Sequence, residues 1–378
     1  MNTIATRNAS ARDAETRYRV MVVDDSAVIR GFFRRTLESD PAIEVVASVG
    51  NGQSAVDSLR RAGVDVVVLD IEMPVMDGMA ALPKLLEIDR SVKIIMASTL
   101  TAANAEISLR ALDRGAADYI PKPTTAAEMH SAQSFHRELV EKVKALGRAR
   151  RGIKEDPTPG PRERRASALQ PPAPKPVVLR RPSLVPPAVL AIGSSTGGPQ
   201  ALMKVIQGLG ADFTLPILIT QHMPATFTGI LAEHIAKVAG RPAREAVDGQ
   251  PVEAGQIYVA PGDFHMTVEA GAPAPVIRLT REPPVNFCRP SVDPMLASMA
   301  RVYGQRLLAL ILTGMGHDGL DGGRATVAAG GTVVAQDEAS SVVWGMPGAV
   351  ATDGLCSAVL PLDAIAAHVR KIAGRSAA

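Results

Sequence analysis

Aromatic residues and cysteines are scarce in this chain. Aromatic residues make up 3% of the 378 residues, so the cores must be built from aliphatic side chains. The two cysteines, Cys288 and Cys356, show no C-x-x-C spacing and are too few for a disulfide framework. The sequence therefore indicates neither a disulfide-stabilised secreted domain nor a zinc site, and it predicts two reduced thiols in a cytosol.

Long apolar runs are also missing. One of the longest, Leu307 to Leu312, is far shorter than a membrane span, and the polar N-terminus lacks the apolar core of a signal peptide. We therefore expect a cytoplasmic protein without membrane insertion. A length of 378 residues, with 46% hydrophobic and 21% charged residues, is typical of an ordinary globular protein with two domains.

The positive charge is concentrated in one segment. The formal net charge is +3, but residues 147–187 alone hold ten Lys or Arg against three Asp or Glu, so the rest of the chain is net negative. The same segment holds ten prolines and no aromatic residue. This composition predicts a solvated linker, and it lacks the stacking aromatics of a nucleic-acid surface. We expect no nucleic-acid partner.

Residues 1–17 are polar and predict a disordered tail, and from Tyr18 strand and helix patterns alternate. The predicted strands are 19–23, 43–49, 64–69, 93–97 and 118–120, and the predicted helices are 27–38, 53–61, 79–88, 103–113 and 126–146. Five strands alternating with five helices predict a doubly wound parallel sheet. Function is expected at the carboxyl ends of its strands.

Polar side chains stand at those strand ends. Asp24 and Asp25 follow the first strand, Asp70 the third, Ser98 the fourth and Lys122 the fifth. Three converging carboxylates repel one another unless a hard cation is present, and such oxygen ligands suit Mg²⁺. A phosphoryl group could then bind there, with Asp70 as nucleophile, Lys122 as balancing charge and Ser98 as hydrogen-bond donor.

Residues 18–146 resemble the receiver domain of response regulators. The resemblance is carried by Val-Val-Asp24-Asp25-Ser, Val-Leu-Asp70-Ile-Glu-Met-Pro74-Val-Met-Asp-Gly78, Ala-Ser98-Thr and Tyr119-Ile-Pro-Lys122-Pro123. It implies that a histidine kinase phosphorylates Asp70 with Mg²⁺, and that Ser98 and Tyr119 transmit the change to a neighbouring surface.

A second α/β pattern begins after the linker, over residues 188–378. An apolar strand from Val189 ends in Gly193-x-Ser195-x-Gly197, and Pro199 then opens a helix. Glycines at this spacing allow a sharp turn that exposes the serine beside helix N-terminal N–H groups. Further strands are predicted at 215–220, 256–260, 276–279, 307–312 and 332–335, with helices at 228–238, 292–303 and 323–329.

The same turn could also bind a dinucleotide phosphate. That interpretation needs an acidic residue at the end of the next strand to hold a ribose, and this chain has Gln221 and His222 there. A hydrolase needs a base and an orienting acid, for which His222 and Asp318 stand at strand ends. The residue spacing alone leaves three other histidines open as the base: His234, His265 and His317.

Residues 188 to about 370 resemble the catalytic domain of chemotaxis receptor protein-glutamate methylesterases. The motifs are Ala-Ile-Gly-x-Ser195-Thr196-Gly-Gly, Ile-Thr-Gln-His222-Met-Pro, Tyr-Val-Ala-Pro-Gly-Asp, Arg289-Pro-Ser-Val-Asp293, Leu-Thr-Gly-Met315-Gly-x-Asp318-Gly and Trp-Gly-Met-Pro. The resemblance implies Ser195, His222 and Asp318 as catalytic residues, with Thr196 and Met315 beside them. Ser194 departs from the family, in which alanine is common.

The combined expectation is a chain of two doubly wound α/β domains, a (βα)5 receiver and a parallel-rich hydrolase. The resemblance implies demethylation of glutamate γ-methyl esters on cytoplasmic regions of chemoreceptors, deamidation of certain glutamines, a histidine kinase as phosphodonor, and no cofactor in the esterase site. We also expect the unmodified receiver to cover the Ser195 cleft. The alternatives are a response regulator without enzymatic activity and a nucleotide-dependent enzyme.

Overall fold

The computed structural model describes residues 17–123, 133–152 and 177–374. These residues form two compact units, 17–152 and 177–374. Residues 1–16 of the expected tail, residues 153–176 of the expected linker and the start of the helix predicted from Ala126 lie outside the described residues.

The first unit is a five-stranded parallel sheet in the order β2-β1-β3-β4-β5. Its strands are β1 (Tyr18–Val23), β2 (Ile43–Val49), β3 (Val66–Asp70), β4 (Lys93–Ser98) and β5 (Asp118–Pro121). Its helices are α1 (Ala27–Glu38), α2 (Gly52–Leu59), α3 (Gly78–Ile88), α4 (Ala102–Asp113) and α5 (Gln133–Arg151). The predicted doubly wound fold is confirmed, and the strand order reverses between β1 and β3.

Local sequence explains where these elements begin and end. Ser26 and Asp77 cap α1 and α3 by accepting hydrogen bonds from backbone N–H groups of the first turn. Helix α5 continues to Arg151, five residues beyond its predicted end at Leu146. The guanidinium groups of Arg150 and Arg151 lie 2.6 and 2.5 Å from the two oxygens of Asp65. These two ion pairs hold the last turn of α5 against the rest of the unit.

The second unit has seven parallel strands in the order β14-β13-β12-β6-β7-β9-β8. They are β6 (Val189–Ser194), β7 (Ile217–Gln221), β8 (Ala243–Glu245), β9 (Ile257–Val259), β12 (Leu307–Ile311), β13 (Thr332–Gln336) and β14 (Ala358–Leu360). Strands β10 (His265–Glu269) and β11 (Val276–Thr280) form an antiparallel pair. The helices are α6 (Gly198–Leu209), α7 (Ala225–Ala239), α8 (Val292–Tyr303), α9 (Leu320–Ala328), α10 (Gly345–Thr352) and α11 (Leu362–Ala373).

Five of these elements are absent from the sequence prediction: β8, β10, β14, α10 and α11. Helix α10 contains Gly345, Pro347 and Gly348, which have low helix propensity. Tertiary contacts override that preference, because Met346 is fully buried and its N–H donates to the carbonyl of Gly314 at 2.8 Å. Strands β8 and β14 have three residues each and lie at the two sheet edges, too short to leave a periodic pattern.

Strand β6 lies between β7 and β12, and the strand order of the sheet reverses between β6 and β12. The loops that follow these three strands therefore meet at one end of the sheet, where α/β proteins place their ligand sites. None of the described helices combines the length and the apolar character that crossing a membrane requires.

Candidate active site

The first unit brings three carboxylates together where its strand order reverses. Asp24 and Asp25 follow β1 and Asp70 ends β3, and one oxygen of each lies within 4.8 Å of the others. The ammonium group of Lys122, after β5, lies 2.7 Å from Asp24 Oδ2 and 2.6 Å from Asp70 Oδ1. One lysine thus faces three acids, which leaves an excess of negative charge.

The pKa of Asp70 is raised in this cluster, mainly because the carboxyl is buried. Burial raises the pKa of Asp70 to about 6, the charge of Asp24 acts in the same direction, and Lys122 opposes both. A cavity of about 210 Å³ opens beside this carboxyl and is lined by Asp25, Ser98 and Lys122, among others. Converging carboxylate oxygens beside open space fit a hard divalent cation, so the three acids are suited to hold Mg²⁺.

Ser98 and Tyr119 differ in their relation to this cavity. Ser98 lines the cavity, and its hydroxyl lies 3.0 Å from that of Ser108. Tyr119 is 3% exposed on β5, with the ammonium group of Lys142 5.1 Å from its ring centroid. The structure therefore brings Ser98 to the carboxylates and places Tyr119 in the packed interior.

In the second unit, Ser195 lies on the sharp turn between β6 and α6. Gly197 caps α6 with a φ of 74°, a conformation that favours glycine. Residues 189–194 and 196–199 are buried, whereas Ser195 is half-buried. Its N–H donates to the carbonyl of Thr313 at 3.1 Å, which fixes the turn against the loop after β12. The turn thus exposes one residue, the predicted nucleophile.

Gln221 joins that turn to the end of β7. Its Nε2 donates to the carbonyls of Ser195 and His222 at 3.0 and 3.1 Å, and its Oε1 accepts from the Ser194 hydroxyl at 2.7 Å. A Cβ on Gly198 would lie 2.0 Å from this Oε1, so only glycine fits there. Sequence reasoning treated Gln221 only as a missing ribose ligand. The one signal in the sequence is its position, an amide residue at a strand end directly before a candidate base.

His222 is paired with Asp318. His222 Nε2 lies 2.7 Å from Asp318 Oδ2, and the Asp318 side chain is 2% exposed. The other groups that donate to this carboxylate are Ser291 Oγ, Asn286 Nδ2 and the backbone N–H groups of Val292, Asp293 and Gly319. Burial alone would raise the pKa of Asp318, but hydrogen bonds and the charge of His222 hold it well below its usual range. Asp318 is therefore an ionised, fixed acceptor.

The other ring nitrogen of His222 faces a cysteine. Nδ1 lies 3.3 Å from Cys288 Sγ, and Cys288 is half-buried. Burial alone would lower the pKa of His222, but the charges and hydrogen bonds of Cys288 and Asp318 raise it to about 10. Among the described residues, no hydrogen bond joins the Ser195 hydroxyl to His222. The structure thus brings His222 and Asp318 together beside Ser195, and it adds Cys288, which sequence reasoning did not connect with the site.

The competing histidines are placed elsewhere. His265 is buried, accepts from the N–H of Ser291 through Nδ1 at 3.2 Å and faces the carbonyl of Pro283 with Nε2 at 3.2 Å. Both of its ring nitrogens therefore bind backbone groups. His317 is exposed on the loop after β12, and His234 lies on α7. His222 is the histidine that the structure pairs with Asp318.

The loops after β6 and β12 bring backbone close to Ser195. A Cβ on Gly314 would lie 2.9 Å from Ser195 Cβ, so this backbone runs beside the serine. The next residue, Met315, is half-buried, and within the described residues its N–H donates no backbone hydrogen bond. Thr196 is buried, and its carbonyl accepts from Thr313 Oγ1 at 2.9 Å.

A carboxylate site on a doubly wound sheet, followed by a serine turn beside a His–Asp pair, defines a response regulator with a hydrolase output domain. Residues 20–134 match the response regulator receiver domain family, and residues 190–369 match the CheB methylesterase family.

Two relatives named protein-glutamate methylesterase/protein-glutamine glutaminase match nearly the whole chain. The one from Paramagnetospirillum magneticum is 58% identical over 94% of this chain and 96% of its own length. The one from Azospirillum brasilense is 60% identical over 95% of this chain and 93% of its own length. The crystal structure of the CheB methylesterase catalytic domain of Thermotoga maritima is 39% identical, covers 50% of this chain and 100% of its own, and has a TM-score of 0.48.

The chain belongs to the CheB family of protein-glutamate methylesterases/protein-glutamine glutaminases.

Proposed function

We propose that this chain is a phosphorylation-regulated serine hydrolase that removes methyl groups from glutamate γ-methyl esters of chemoreceptors and deamidates certain receptor glutamines. Family membership supports the reaction, because both relatives described above carry these two activities in their names. The observation that supports the residue roles is the pairing of His222 with Asp318, together with the Gln221 amide, which donates to the carbonyls of both Ser195 and His222.

The geometry supports one nitrogen of His222 as the proposed base. Asp318 engages Nε2 of His222, so Nδ1 is the proposed acceptor of the Ser195 proton, in the neutral form of the ring that carries its one proton on Nε2. The Ser195 oxygen attacks the ester carbonyl, and the oxyanion accepts hydrogen bonds from backbone N–H groups at Met315 and Thr196. His222 returns the proton to the departing methanol, and water then hydrolyses the acyl-enzyme to free glutamate.

The side-chain amide of a glutamine can undergo the same acyl transfer to Ser195. Its carbonyl enters the same oxyanion site, and ammonia leaves in place of methanol. The nucleotide-dependent alternative is not favoured. Gln221 stands at the strand end where that alternative needs a ribose ligand, and its side chain is already hydrogen-bonded to Ser195, His222 and Ser194.

In the receiver, we propose Asp70 as the phosphoacceptor and Asp24, Asp25 and Asp70 as the ligands of Mg²⁺. The bound ion would neutralise the carboxylates and an incoming phosphoryl group. Lys122 and Ser98 line the same cavity and are placed to bind phosphoryl oxygens. The proposed phosphodonor is a chemotaxis histidine kinase. A cytoplasmic location follows from the proposed substrate, the cytoplasmic regions of the receptors.

The assignment of Ser195 is tested by measuring methanol release from a methylated receptor. Ser195→Ala in the full chain should abolish release while the protein stays folded. Ser194→Ala is the matched control, because it removes the neighbouring hydroxyl, and it should keep most of the activity. Unchanged methanol release by Ser195→Ala would remove this residue from the nucleophile's role.

The regulation is tested with a small acyl phosphate as phosphodonor in the presence of Mg²⁺. The rate of methanol release should rise in the unsubstituted chain and stay constant in Asp70→Asn. An equal response in both proteins would show that Asp70 is not the site of control.

A further inference from the structure

We propose that Cys288 is a modifiable thiol that shares His222 with the nucleophile, and that oxidation of this thiol by a peroxide switches the hydrolase off. The inference rests on the proposed function of Ser195 and His222. The site is the Cys288–His222–Asp318 cluster, a thiol, an imidazole and a carboxylate joined by two contacts in series.

The cluster has the arrangement that activates a cysteine. Asp318 fixes the ring through Nε2 at 2.7 Å, and Cys288 Sγ lies 3.3 Å from Nδ1, so the imidazole can take the thiol proton and stabilise the thiolate that remains. The pKa of His222 is raised, as expected for an imidazole held between a carboxylate and a sulfur. The thiol of Cys288 is therefore a second nucleophile in contact with His222, the base proposed for Ser195.

Cys288 and Ser195 compete for one nitrogen. Because Asp318 engages Nε2, both side chains depend on Nδ1, and in this structure Nδ1 faces the thiol. An atom added to the sulfur, only 3.3 Å from Nδ1, would occupy space that the Ser195 hydroxyl needs for proton transfer. The covalent state of Cys288 should thus control whether Ser195 can be deprotonated.

The loop that carries Cys288 is built into the site. Asn286 and Phe287 adopt φ values of 51° and 63°, and Val285 and Cys288 exchange backbone hydrogen bonds of 3.1 and 2.9 Å. Asn286 Nδ2 also donates to Asp318 Oδ1 at 2.9 Å. The loop is therefore tied to the same carboxylate that orients His222, which fixes the thiol relative to the imidazole.

The chemistry needs an external peroxide. The thiolate sulfur of Cys288 attacks one oxygen of hydrogen peroxide, an S–O bond forms and the O–O bond breaks. The hydroxide that leaves takes the proton held by His222 and becomes water. The sulfur is oxidised by two electrons to sulfenic acid and the peroxide is reduced.

Cys356 provides a matched control within the chain. It is fully buried, and burial raises its pKa to about 12. It contacts neither His222 nor Asp318 in the described structure. Cys356 should therefore resist modification until the protein unfolds, and its substitution should not alter sensitivity to peroxide.

The first experiment measures alkylation of each cysteine in the folded full chain by iodoacetamide and mass spectrometry. Cys288 should react at least tenfold faster than Cys356. His222→Gln should slow alkylation of Cys288 about tenfold or more, whereas Ser195→Ala should not slow it. Equal rates for Cys288 with and without His222 would overturn the activation of the thiol, because exposure alone would then explain its reactivity.

The second experiment measures methanol release after treatment with hydrogen peroxide, with each variant normalised to its own untreated rate. The unsubstituted chain and Cys356→Ala should lose most of their activity and regain it with dithiothreitol. Cys288→Ala and Cys288→Ser should keep theirs. A loss that dithiothreitol does not restore, in protein whose Cys288 is still a reduced thiol by mass spectrometry, points to methionine oxidation and contradicts the proposal.

Three results would overturn control by Cys288: equal peroxide sensitivity in Cys288→Ala and the unsubstituted chain, full activity in protein whose Cys288 is oxidised, or no oxidation at Cys288. If neither substituted protein folds, oxidation of Cys288 and the activity of the unsubstituted chain are followed together during the treatment, and they should change at the same rate. Absence of methanol release before any treatment would instead contradict the proposed function, so the two failures are distinct.

Discussion

Each sheet places a buried carboxylate near the point where its strand order reverses, and the pKa values of these two carboxylates are shifted in opposite directions. Asp70 meets another carboxylate, Asp24, and a single lysine, and burial raises its pKa to about 6. Asp318 meets His222 and a set of hydroxyl, amide and backbone donors, and its pKa is held well below its usual range. The difference teaches that the carboxylate proposed to bind a cation and a phosphoryl group has few hydrogen-bond donors, whereas the carboxylate proposed to orient His222 is surrounded by donors.

The largest loss of activity should come from a substitution of Asp318. Asp318→Asn removes the acceptor of His222 Nε2 and favours the wrong tautomer, so kcat/KM should fall about 10³- to 10⁴-fold. Methanol release from methylated receptor measures the change. A loss of less than about tenfold would contradict the orienting role of Asp318.

A smaller loss should follow Gln221→Leu. This substitution removes the amide donor that the carbonyls of Ser195 and His222 share, and only the Ser195 carbonyl keeps a backbone partner, the N–H of Gly198, so kcat should fall about 10- to 100-fold with little change in KM. Steady-state kinetics separate the two parameters. Ser194→Ala, which removes only the hydroxyl that donates to Gln221, should cost less. A change confined to KM would contradict the positioning of the catalytic backbone.

The carboxylate cluster of the receiver should bind Mg²⁺ with an affinity that depends on pH. The pKa of Asp70 is raised from 3.8 to about 6, so the folded receiver binds this proton more tightly than the unfolded chain, and stability from this group falls as pH rises from about 4 to about 6. At pH 5 most Asp70 is protonated, so Mg²⁺ should bind about tenfold more weakly than at pH 7.5. Calorimetric titration of the full chain measures both constants.

The control for that titration is Asp70→Asn. It should weaken Mg²⁺ binding at pH 7.5 and flatten the dependence between pH 5 and pH 7.5. Unchanged binding in this variant would place the cation elsewhere.

The smallest effect should come from an exposed carboxylate of the hydrolase unit. Asp353 pairs with Arg324 at 2.9 Å on the surface, where solvent screens the interaction. Asp353→Asn should change the free energy of unfolding by less than about 0.5 kcal/mol and leave methanol release unaltered. A loss of activity comparable to that of Asp318→Asn would show that burial and donor saturation do not distinguish the two acids.

Sequence reasoning recovered the features that periodicity and strand ends encode. The alternating patterns predicted both sheets, and residues at strand ends such as Asp70 and Ser195 could be located because parallel strands bring their carboxyl ends together. The spacing of Ile365, Val369 and Ile372 would also have predicted α11. Helix α10 could not be found this way, because glycine and proline disfavour it and packing of Met346 stabilises it.

The missed site residues depend on tertiary contacts. Gln221 acts through two carbonyls that become neighbours only when β6 pairs with β7. Cys288 reaches His222 from 66 positions further along the chain, through a loop with two residues at positive φ that no periodicity announces. Residue type suggested an ordinary thiol, and only the fold shows that its neighbour is the proposed base.

The amide of Gln221 has a consequence for how this fold can change. Ser194 on β6 pairs with Gln221 on β7, and the Gln221 amide donates to the carbonyls of the next residue on each strand, Ser195 and His222. The separation of the Ser195 and His222 backbones is therefore set by the spacing of adjacent strands, about 4.8 Å, and not by loop conformation. Asp318 and Cys288 arrive on separate loops. Variation in those loops can therefore change how the proposed base is oriented or blocked while the distance between the Ser195 and His222 backbones stays constant.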